Sequence, residues 1–257
     1  MNTAQLSDPD AAVAGLYGAP NCRARGPARG ALFHPEGYSL WRVVGELGDD
    51  AALQWDSEHG DEAIFVQAGG LDSDGRPVGE GSTLVVEAGV PWLVRSVGPT
   101  RIVHFGTIDR TSPTNGILGA PAMEGRGIHV VRAEEAASVH FRGGDDATSL
   151  YFRDGTCPTC RLTLFLYSSD VAEGYAGASH SHSEDELIHV LEGELHVGPL
   201  TVGPGAAIAV PRDLRYSLRS TGPYRYLDYR ADVSTAVVKP GSEPVLETVA
   251  NLKSVGG

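Results

Sequence analysis

The sequence predicts an all-β protein built from two copies of one unit of short strands. Short runs rich in apolar, aromatic and β-branched residues alternate with turns that contain glycine and proline, which is the pattern of a sandwich or barrel. The 33 glycines and 16 prolines are spread along the whole chain, so they indicate many turns rather than low complexity. No long segment shows the periodicity of an amphipathic helix.

The two copies are visible as an internal repeat. Residues 94–106 read VRSVGPTRIVHFG and residues 218–230 read LRSTGPYRYLDYR, with Arg, Ser, Gly, Pro and Arg recurring 124 positions apart. The same offset upstream pairs Glu62 with Glu186, Gly69 with Gly193, Gly81 with Gly205 and Leu40 with Leu164. A repeat of this length indicates two copies of one supersecondary unit.

The repeat divides the chain into two predicted lobes, residues 1–120 and residues 121–257. Residues 111–126 are rich in Pro, Gly, Ser and Thr and are interpreted as the connector. Extra strands at 127–131 and 149–153 can pack on either lobe. Six strands are predicted in the second copy: Arg161–Ser168, Glu186–Leu191, Glu194–Val197, Ala206–Val210, Tyr216–Ser220 and Tyr224–Tyr229.

Charge and composition restrict the partners. The chain carries 20 Lys and Arg against 33 Asp and Glu, a net charge of −13, which argues against binding nucleic acid or an anionic membrane. The first residues lack the basic start and apolar core of a signal peptide, and no apolar run reaches the length of a membrane span. We therefore expect a cytoplasmic protein whose partner is a small-molecule substrate.

The densest chemistry lies in the segment from His180 to Glu186. Side chains alternate faces along an extended chain, so His180 and His182 are expected to point the same way, and Glu186 can face inward where the chain returns as a strand. Two imidazoles and a carboxylate that converge form a divalent-metal site. Three protein ligands leave open positions for water, oxygen or substrate, which suits catalysis.

These residues also carry a resemblance to a known family. Gly174, His180, His182, Glu186 and Gly193 have the residue types and spacing of the first cupin motif, which the segment resembles at every position. The second cupin motif matches less well. Its glycine at 205 and proline at 211 are present, but Asp213, Tyr216 and Ser220 stand where the family has glycine, histidine and asparagine.

The resemblance implies two tandem cupin barrels, each a double-stranded β-helix or jelly roll, with the metal in the C-terminal lobe. It implies that His180, His182 and Glu186 are ligands and that Tyr216 takes the fourth position. Tyr216 could ligate the metal as a phenolate, act with Glu186 as a catalytic acid or base, or line the pocket. A phenol has an ordinary pKa of about 10, so only a nearby cation would ionise it. Pairing as a homodimer is implied by the resemblance alone.

The first copy lacks both histidines. The offset places Asp56, Glu58, Glu62 and Trp92 at the positions of His180, His182, Glu186 and Tyr216. An all-carboxylate site for a hard cation is one interpretation, but we favour a structural lobe whose cavity Trp92 fills. His59 is one residue out of register and is expected to be a surface or core residue rather than a ligand.

Two further signals are weaker. Arg225 could bind an anionic substrate, but Arg101 occupies the same place in the first copy, which favours packing or an ion pair. Cys157 and Cys160 form a CxxC that could be a redox pair or half of a zinc site, although a hairpin tip with two thiols is favoured.

The function suggested by these observations is that of a metalloenzyme. The first hypothesis is a non-haem Fe(II) dioxygenase or other oxygenase, because two histidines and one carboxylate form the donor set of such sites. Mn, Ni, Zn or Cu could also occupy this donor set. The second hypothesis is a redox-neutral lyase or isomerase in which the ion acts as a Lewis acid. The third is a cupin that binds a small ligand without catalysis.

Overall fold

The structure is a computed structural model that describes residues 4–7, 15–109, 124–140, 147–150, 159–238, 240–248 and 251. Within these ranges the chain folds into twenty-five β-strands, which confirms the all-β class. Cys157, part of the predicted connector and the end of the strand predicted at 149–153 lie outside the described residues. No helix in the described ranges is long and apolar enough to cross a membrane.

The strands follow one another along the chain with short turns between them. The first thirteen are β1 (Gln5–Leu6), β2 (Gly15–Leu16), β3 (Cys22–Arg25), β4 (Ala28–Phe33), β5 (Leu40–Leu47), β6 (Ala52–Trp55), β7 (Glu62–Ala68), β8 (Gly70–Ser73), β9 (Arg76–Gly79), β10 (Thr83–Val86), β11 (Trp92–Ser96), β12 (Thr100–Thr107) and β13 (Ile128–Val131). The others are β14 (Ala137–His140), β15 (Ala147–Leu150), β16 (Thr163–Ser169), β17 (Ser181–His182), β18 (Glu186–Glu192), β19 (Leu195–Val197), β20 (Leu200–Val202), β21 (Ala207–Val210), β22 (Leu218–Ser220), β23 (Tyr224–Arg230), β24 (Thr235–Val237) and β25 (Val245–Leu246). The six strands predicted in the second copy are confirmed to within two residues at each end.

The strands form two compact units whose boundaries differ from the predicted lobes. The N-terminal unit comprises Asp10–Ala136 and Tyr151–Leu162, and the C-terminal unit comprises Met1–Pro9, Ala137–Leu150 and Thr163–Gly257. The contiguous division at residue 120 stays a prediction, and the compact units exchange segments across it. The physical reason is edge pairing: β1 pairs with β21 of the C-terminal unit, and β13 pairs with β10 of the N-terminal unit. Each of these strands supplies hydrogen bonds to a sheet edge that would otherwise be open.

The N-terminal unit is a sandwich of two sheets. A seven-stranded sheet has the order β13-β10-β7-β12-β5-β4-β2, and a five-stranded sheet has the order β3-β6-β11-β8-β9. Trp41 and Val66 from the first sheet share one core with Leu53 and Val78 from the second. This core forms because alternate residues of each strand point to the inner face.

The C-terminal unit repeats this arrangement. Its seven-stranded sheet has the order β1-β21-β18-β23-β16-β15-β14 and shares a core with the three-stranded sheet β20-β19-β22 through residues such as Ile188, Tyr226 and Leu195. A third sheet has the order β17-β24-β25. The described strands of both units form open sheets that pack as sandwiches, so the two closed tandem barrels stay a prediction.

The internal repeat is confirmed in the backbone. Gly69 and Gly193 both have a positive φ, of 80° and 75°, and each faces the carbonyl of a proline, Pro99 or Pro223. The ladders β7–β12 and β18–β23 also both contain a bulge. The two copies therefore share details of chain path as well as strand order.

The offset of 124 residues does not extend to the strand before the repeat core. Leu40 pairs with Thr107, whereas Leu164 pairs with Tyr229, so the predicted equivalence of Leu40 and Leu164 is wrong by two residues. Trp41 opposite Gly106 corresponds in the second copy to Thr163 opposite Arg230. A shift of two keeps the same side chains on the inner face, and for this reason the hydrophobic pattern does not reveal it.

Replacement of Gly193 by alanine tests the close approach at the repeated turn. A left-handed backbone costs alanine about 1–2 kcal/mol, and contact of the new Cβ with the Pro223 carbonyl adds roughly 1–3 kcal/mol. Gly198 is the matched control, because its φ is also positive, at 57°, while a Cβ there meets nothing within 4 Å. In urea unfolding, Gly193→Ala should lose clearly more stability than Gly198→Ala, and equal losses would contradict the close approach.

Candidate metal centre

The two predicted histidines lie side by side at the mouth of the C-terminal unit. His182 belongs to β17, and His180 forms a backbone bridge with Tyr216 in which each N–H donates to the other carbonyl over 2.9 Å. The ring centroid of His180 lies 4.9 Å from the ring centroid of His182 and 4.6 Å from that of Tyr216. The alternation of the extended chain therefore brings all three predicted rings together.

Glu186 begins β18 and is buried, with 1% of its surface exposed. Its Oε2 lies 3.8 Å from Nε2 of His182. Among the described residues, donor atoms of His180, His182 and Glu186 do not all come within 4.8 Å of one another. The predicted ligands thus surround a common space without closing on one point.

The guanidinium of Arg230, at the end of β23, enters this space. Its Nη2 donates to Oε2 of Glu186 over 2.8 Å and to Oδ2 of Asp228 over 2.6 Å, and lies 3.3 Å from Nε2 of His182. Its Nη1 donates to Oε2 of Glu247 over 3.0 Å. The sequence analysis missed Arg230, Asp228 and Glu247.

Hydrogen bonds fix the tautomers of both histidines. A guanidinium nitrogen can only donate, so Nε2 of His182 accepts from Arg230, and Nδ1 donates to Glu247 over 3.0 Å. Nδ1 of His180 donates to the carbonyl of Ala178 over 2.8 Å. In His180 the Nε2 lone pair is left as the potential ligand, whereas in His182 a metal ion would have to displace Arg230 from Nε2. Carboxylate or carbonyl partners at the other nitrogen are typical of metal-binding histidines.

Carboxyl groups outnumber the guanidinium groups that contact them at this site. Within the described part of the chain, three buried carboxyl groups contact a single guanidinium here, those of Glu186, Asp228 and Glu247. Burial, together with the neighbouring carboxylates, raises the pKa of Asp228 to about 8 although Arg230 opposes the shift. Burial also raises the pKa of Glu186, but His182 and Arg230 outweigh it and keep that pKa below its usual value.

Tyr216 is a buried phenol beside Glu186. Burial, and then the charges of Glu186 and Asp228, raise the pKa of Tyr216 well above its usual value. The hydroxyl therefore keeps its proton and hydrogen bonds with the Glu186 carboxylate. To serve as a phenolate ligand, Tyr216 would have to lose this proton, whereas a role as a proton donor uses it as it stands.

A cavity of about 170 Å³ opens next to these groups. Five tyrosines line it, together with both histidines and Arg230: Tyr167, Tyr175, Tyr216, Tyr224 and Tyr226. Tyr167 and Tyr226 stack with their centroids 4.8 Å apart, which fixes the cavity wall. The volume suits a small organic molecule, and the polar end of the cavity is the charged cluster.

Comparison with known proteins identifies solved structures that share this fold. No family model and no curated protein matches the sequence. The protein Ylba from E. coli, described by the family model DUF861, has a TM-score of 0.63 at 15% identity over 89% of this chain and 90% of its own. A putative glyoxylate induced protein from Pseudomonas aeruginosa has a TM-score of 0.67 at 14% identity over 89% of each chain. Oxalate decarboxylase from Bacillus subtilis has a TM-score of 0.58 at 15% identity over 80% of this chain and 72% of its own.

The chain has a cupin-type fold. At these identities the comparisons establish the fold alone, and the resemblance drawn from the residues 174–193 agrees with it.

The equivalent space in the N-terminal copy of the cupin-type fold holds no cluster of ligands among the described residues. Asp56 and Glu58 are exposed, and Asp56 lies 3.6 Å from Arg23, so the all-carboxylate interpretation is wrong. Glu62 is buried, and its Oε2 accepts hydrogen bonds from Trp55 over 2.6 Å and from His104 over 2.8 Å. Its Oε2 therefore has two donors, while Oε1 is buried and has no hydrogen-bond partner in the described residues.

The residue that fills this first cavity differs from the prediction. Trp92 is half-buried at the edge of the core, and its indole donates to Ser73 over 3.0 Å. Trp41 instead packs edge-on against His104 at 4.9 Å and covers Gly106, where any Cβ would collide with the indole. Trp41 occupies this position because the strand register places it directly opposite Gly106.

Two other expectations have clear outcomes. His59 is buried and its ring nitrogens face the carbonyls of Gly60 and Val90, at 2.7 and 3.0 Å, which confirms a core residue rather than a ligand. Arg225 forms an exposed ion pair of 3.0 Å with Glu192, which confirms the ion-pair interpretation. Cys160 is buried, whereas Cys157 lies outside the described residues, so the redox or zinc role of the CxxC stays a prediction.

Replacement of Arg230 by methionine should strongly destabilise the protein. The change leaves buried carboxylates uncompensated, which typically costs roughly 3–5 kcal/mol. Arg225→Met is the control, because its ion pair with Glu192 is exposed and is expected to contribute at most about 1 kcal/mol. Urea unfolding of both variants checks the difference. Equal losses would show that the cluster around Arg230 does not hold the unit together.

Proposed function

We propose that the protein is a metal-dependent enzyme of the cupin type that acts on a small organic molecule in the C-terminal unit. The observation that carries the proposal is the presentation of the donor atoms. His180 offers Nε2 while its Nδ1 is bound to a carbonyl, and Oε1 of Glu186 is buried without a hydrogen-bond partner in the described structure. His182 directs Nε2 into the same space, where Arg230 donates to it in place of a metal ion. Groups arranged in this way fit a divalent cation.

The charge of the cluster supports the same proposal. Asp228 is protonated below its pKa of about 8, so the carboxylates of Glu186 and Glu247 face the one guanidinium of Arg230 and leave an excess of negative charge that a divalent ion would offset. His180, His182 and Glu186 would hold the ion, and Arg230 keeps Oε2 of Glu186 in place. The bound ion would supply a Lewis acid that polarises a carbonyl or carboxylate oxygen of the substrate.

The neighbouring side chains favour a redox-neutral reaction, of the lyase or isomerase class. Tyr216 is a neutral phenol at the cavity, so it can donate a proton to a substrate oxygen and take one back with Glu186 beside it. Four further tyrosines line the cavity beside Tyr216. Oxalate decarboxylase from Bacillus subtilis, which shares the fold at 13% identity, has Mn(II) centres, which supports Mn(II) as the ion.

An Fe(II) dioxygenase or other oxygenase is the second candidate. The observation that favours it is the donor set itself, since two imidazoles and one carboxylate with open positions suit non-haem Fe(II). Oxygen uptake separates the two candidates: turnover that continues without oxygen supports the redox-neutral reaction, and turnover that consumes oxygen supports the oxygenase.

The partners and location follow from sequence alone and stay proposals. We propose a small-molecule substrate, no nucleic-acid or membrane partner, a cytoplasmic location and a homodimer. The net charge of −13 is compatible with each of these. Cu, Ni or Zn in place of Mn or Fe would leave the proposed Lewis-acid chemistry unchanged.

His182→Ala should abolish metal binding at this site. Removing one of three ligands, together with the contact to Glu247 that orients it, should reduce the manganese or iron retained after gel filtration, counted separately from zinc, by about 10-fold or more. His196→Ala is the control, because this histidine lies at the surface and pairs with Glu194. Elemental analysis of protein produced without added metal measures both variants. Unchanged metal content in His182→Ala would exclude the proposed ligand set.

Tyr216→Phe separates binding from catalysis. The phenol proton is lost while the ring stays in the cavity, so we expect the metal content and fold to be kept and turnover of small carboxylic and keto acids to fall by roughly 10²-fold or more. Full turnover in Tyr216→Phe would exclude the proton-donor role. Metal binding without turnover of any tested acid in the parent protein would favour the ligand-binding cupin instead.

A further inference from the structure

A second group of potential metal ligands lies in the N-terminal unit, away from the predicted motif. Glu87 follows β10, His129 lies in β13 and Cys160 precedes β16. One ligand atom of each lies within 4.8 Å of the other two, and the three residues form the one such group found in the described ranges. His129 and Cys160 are 42 and 73 positions from Glu87 in sequence.

The carboxylate of Glu87 is held in place with one oxygen available. Oε2 accepts from the N–H of Gly127 over 2.6 Å and lies 2.9 Å from Nε2 of His129. Oε1 is fully buried and, in the part of the chain that the structure describes, has no hydrogen-bond partner. A buried carboxylate oxygen without a partner is costly, so its retention calls for a physical reason.

The side chains around it are good ligands for a borderline-soft ion. The Glu87 side chain is fully buried, Cys160 is a buried thiol, and the side chain of His129 is 11% exposed. Burial raises the pKa of Glu87, but the hydrogen bonds with His129, Thr159 and the Gly127 N–H, together with the charge of His129, outweigh this and keep that pKa below its usual value. Carboxylate, imidazole and thiolate together are typical of zinc and not of magnesium or calcium.

We propose that Glu87, His129 and Cys160 bind a zinc ion in a site separate from the cupin metal centre. Ligand atoms of tetrahedral zinc lie about 3.3–3.8 Å apart, given bonds of about 2.0–2.3 Å, so small side-chain rotations convert the observed group into a site. Binding replaces the thiol proton of Cys160 and any proton on Nε2 of His129, and these protons pass to solvent. A fourth position is left for water.

The consequence of the site is structural. β10 and β13 pair antiparallel, with His129 opposite Val85, so two of the ligands lie on neighbouring strands. Cys160 comes from a segment that joins this unit from much later in the chain. The zinc ion would therefore fasten residues 159–162 to the sheet edge formed by β13.

Cobalt(II) added to chelator-treated protein tests the site. Cobalt bound to a thiolate gives a near-ultraviolet charge-transfer band, whereas the cupin centre contains no cysteine among its proposed ligands. We expect the band in the parent protein, its loss in Cys160→Ser, and its retention in Cys22→Ser, which removes a buried thiol elsewhere in the same unit. Absence of the band in the parent, or its persistence in Cys160→Ser, would overturn the proposal.

Two further variants keep the result interpretable. Glu87→Gln preserves an acceptor for Gly127 and His129, so the metal-free variant should unfold like the parent while its Kd for zinc, measured against a chromophoric chelator, rises by roughly 10-fold or more. An unchanged Kd would exclude Glu87 as a ligand. His182→Ala should keep the cobalt–thiolate band, which separates failure of this site from failure of the proposed function.

Discussion

The buried guanidinium of Arg230 is the constraint on which the C-terminal unit depends. It is buried and contacts three carboxyl groups and one imidazole, and no other guanidinium is recorded in contact with these carboxyl groups in the described structure. Without it, the carboxylates of Glu186 and Glu247 would repel each other in a medium of low dielectric constant. The same contacts orient Glu186 and fix the tautomer of His182, so stability and ligand presentation arise from one interaction.

The two copies show how one scaffold can hold either a filled core or a charged cluster. In the N-terminal unit Trp41 lies opposite Gly106, and the large ring occupies the space above the glycine. In the C-terminal unit Thr163 lies opposite Arg230, and the small side chain leaves room for the guanidinium. Close packing requires that a large residue on one strand be matched by a small one on its partner. The difference between Trp41 and Thr163 is therefore coupled to the difference between Gly106 and Arg230.

Both candidate metal sites are built on the same principle. Each is assembled at the end of a sheet, where a carboxylate that follows or begins a strand is fixed by neighbours and retains one oxygen without a partner in the described residues. Glu186 in the C-terminal unit lies 3.8 Å from His182, four positions earlier in the chain, whereas Glu87 in the N-terminal unit is near ligands from distant segments. Local sequence motifs reveal the first kind of site and not the second.

The sequence by itself determined the all-β class, the repeat, the six strands of the second copy and the segment from His180 to Glu186, because these depend on side-chain alternation and short-range spacing. Only the tertiary structure decided the unit boundaries, the two-residue register shift, and the entry of Arg230 and Glu247 into the site. These depend on which strands pair at a sheet edge and on what fills the space between sheets. The repeat aligns Gly106 with Arg230, and this difference is visible in the sequence. Its consequence depends on the residue that lies opposite on the neighbouring strand, which only the structure shows.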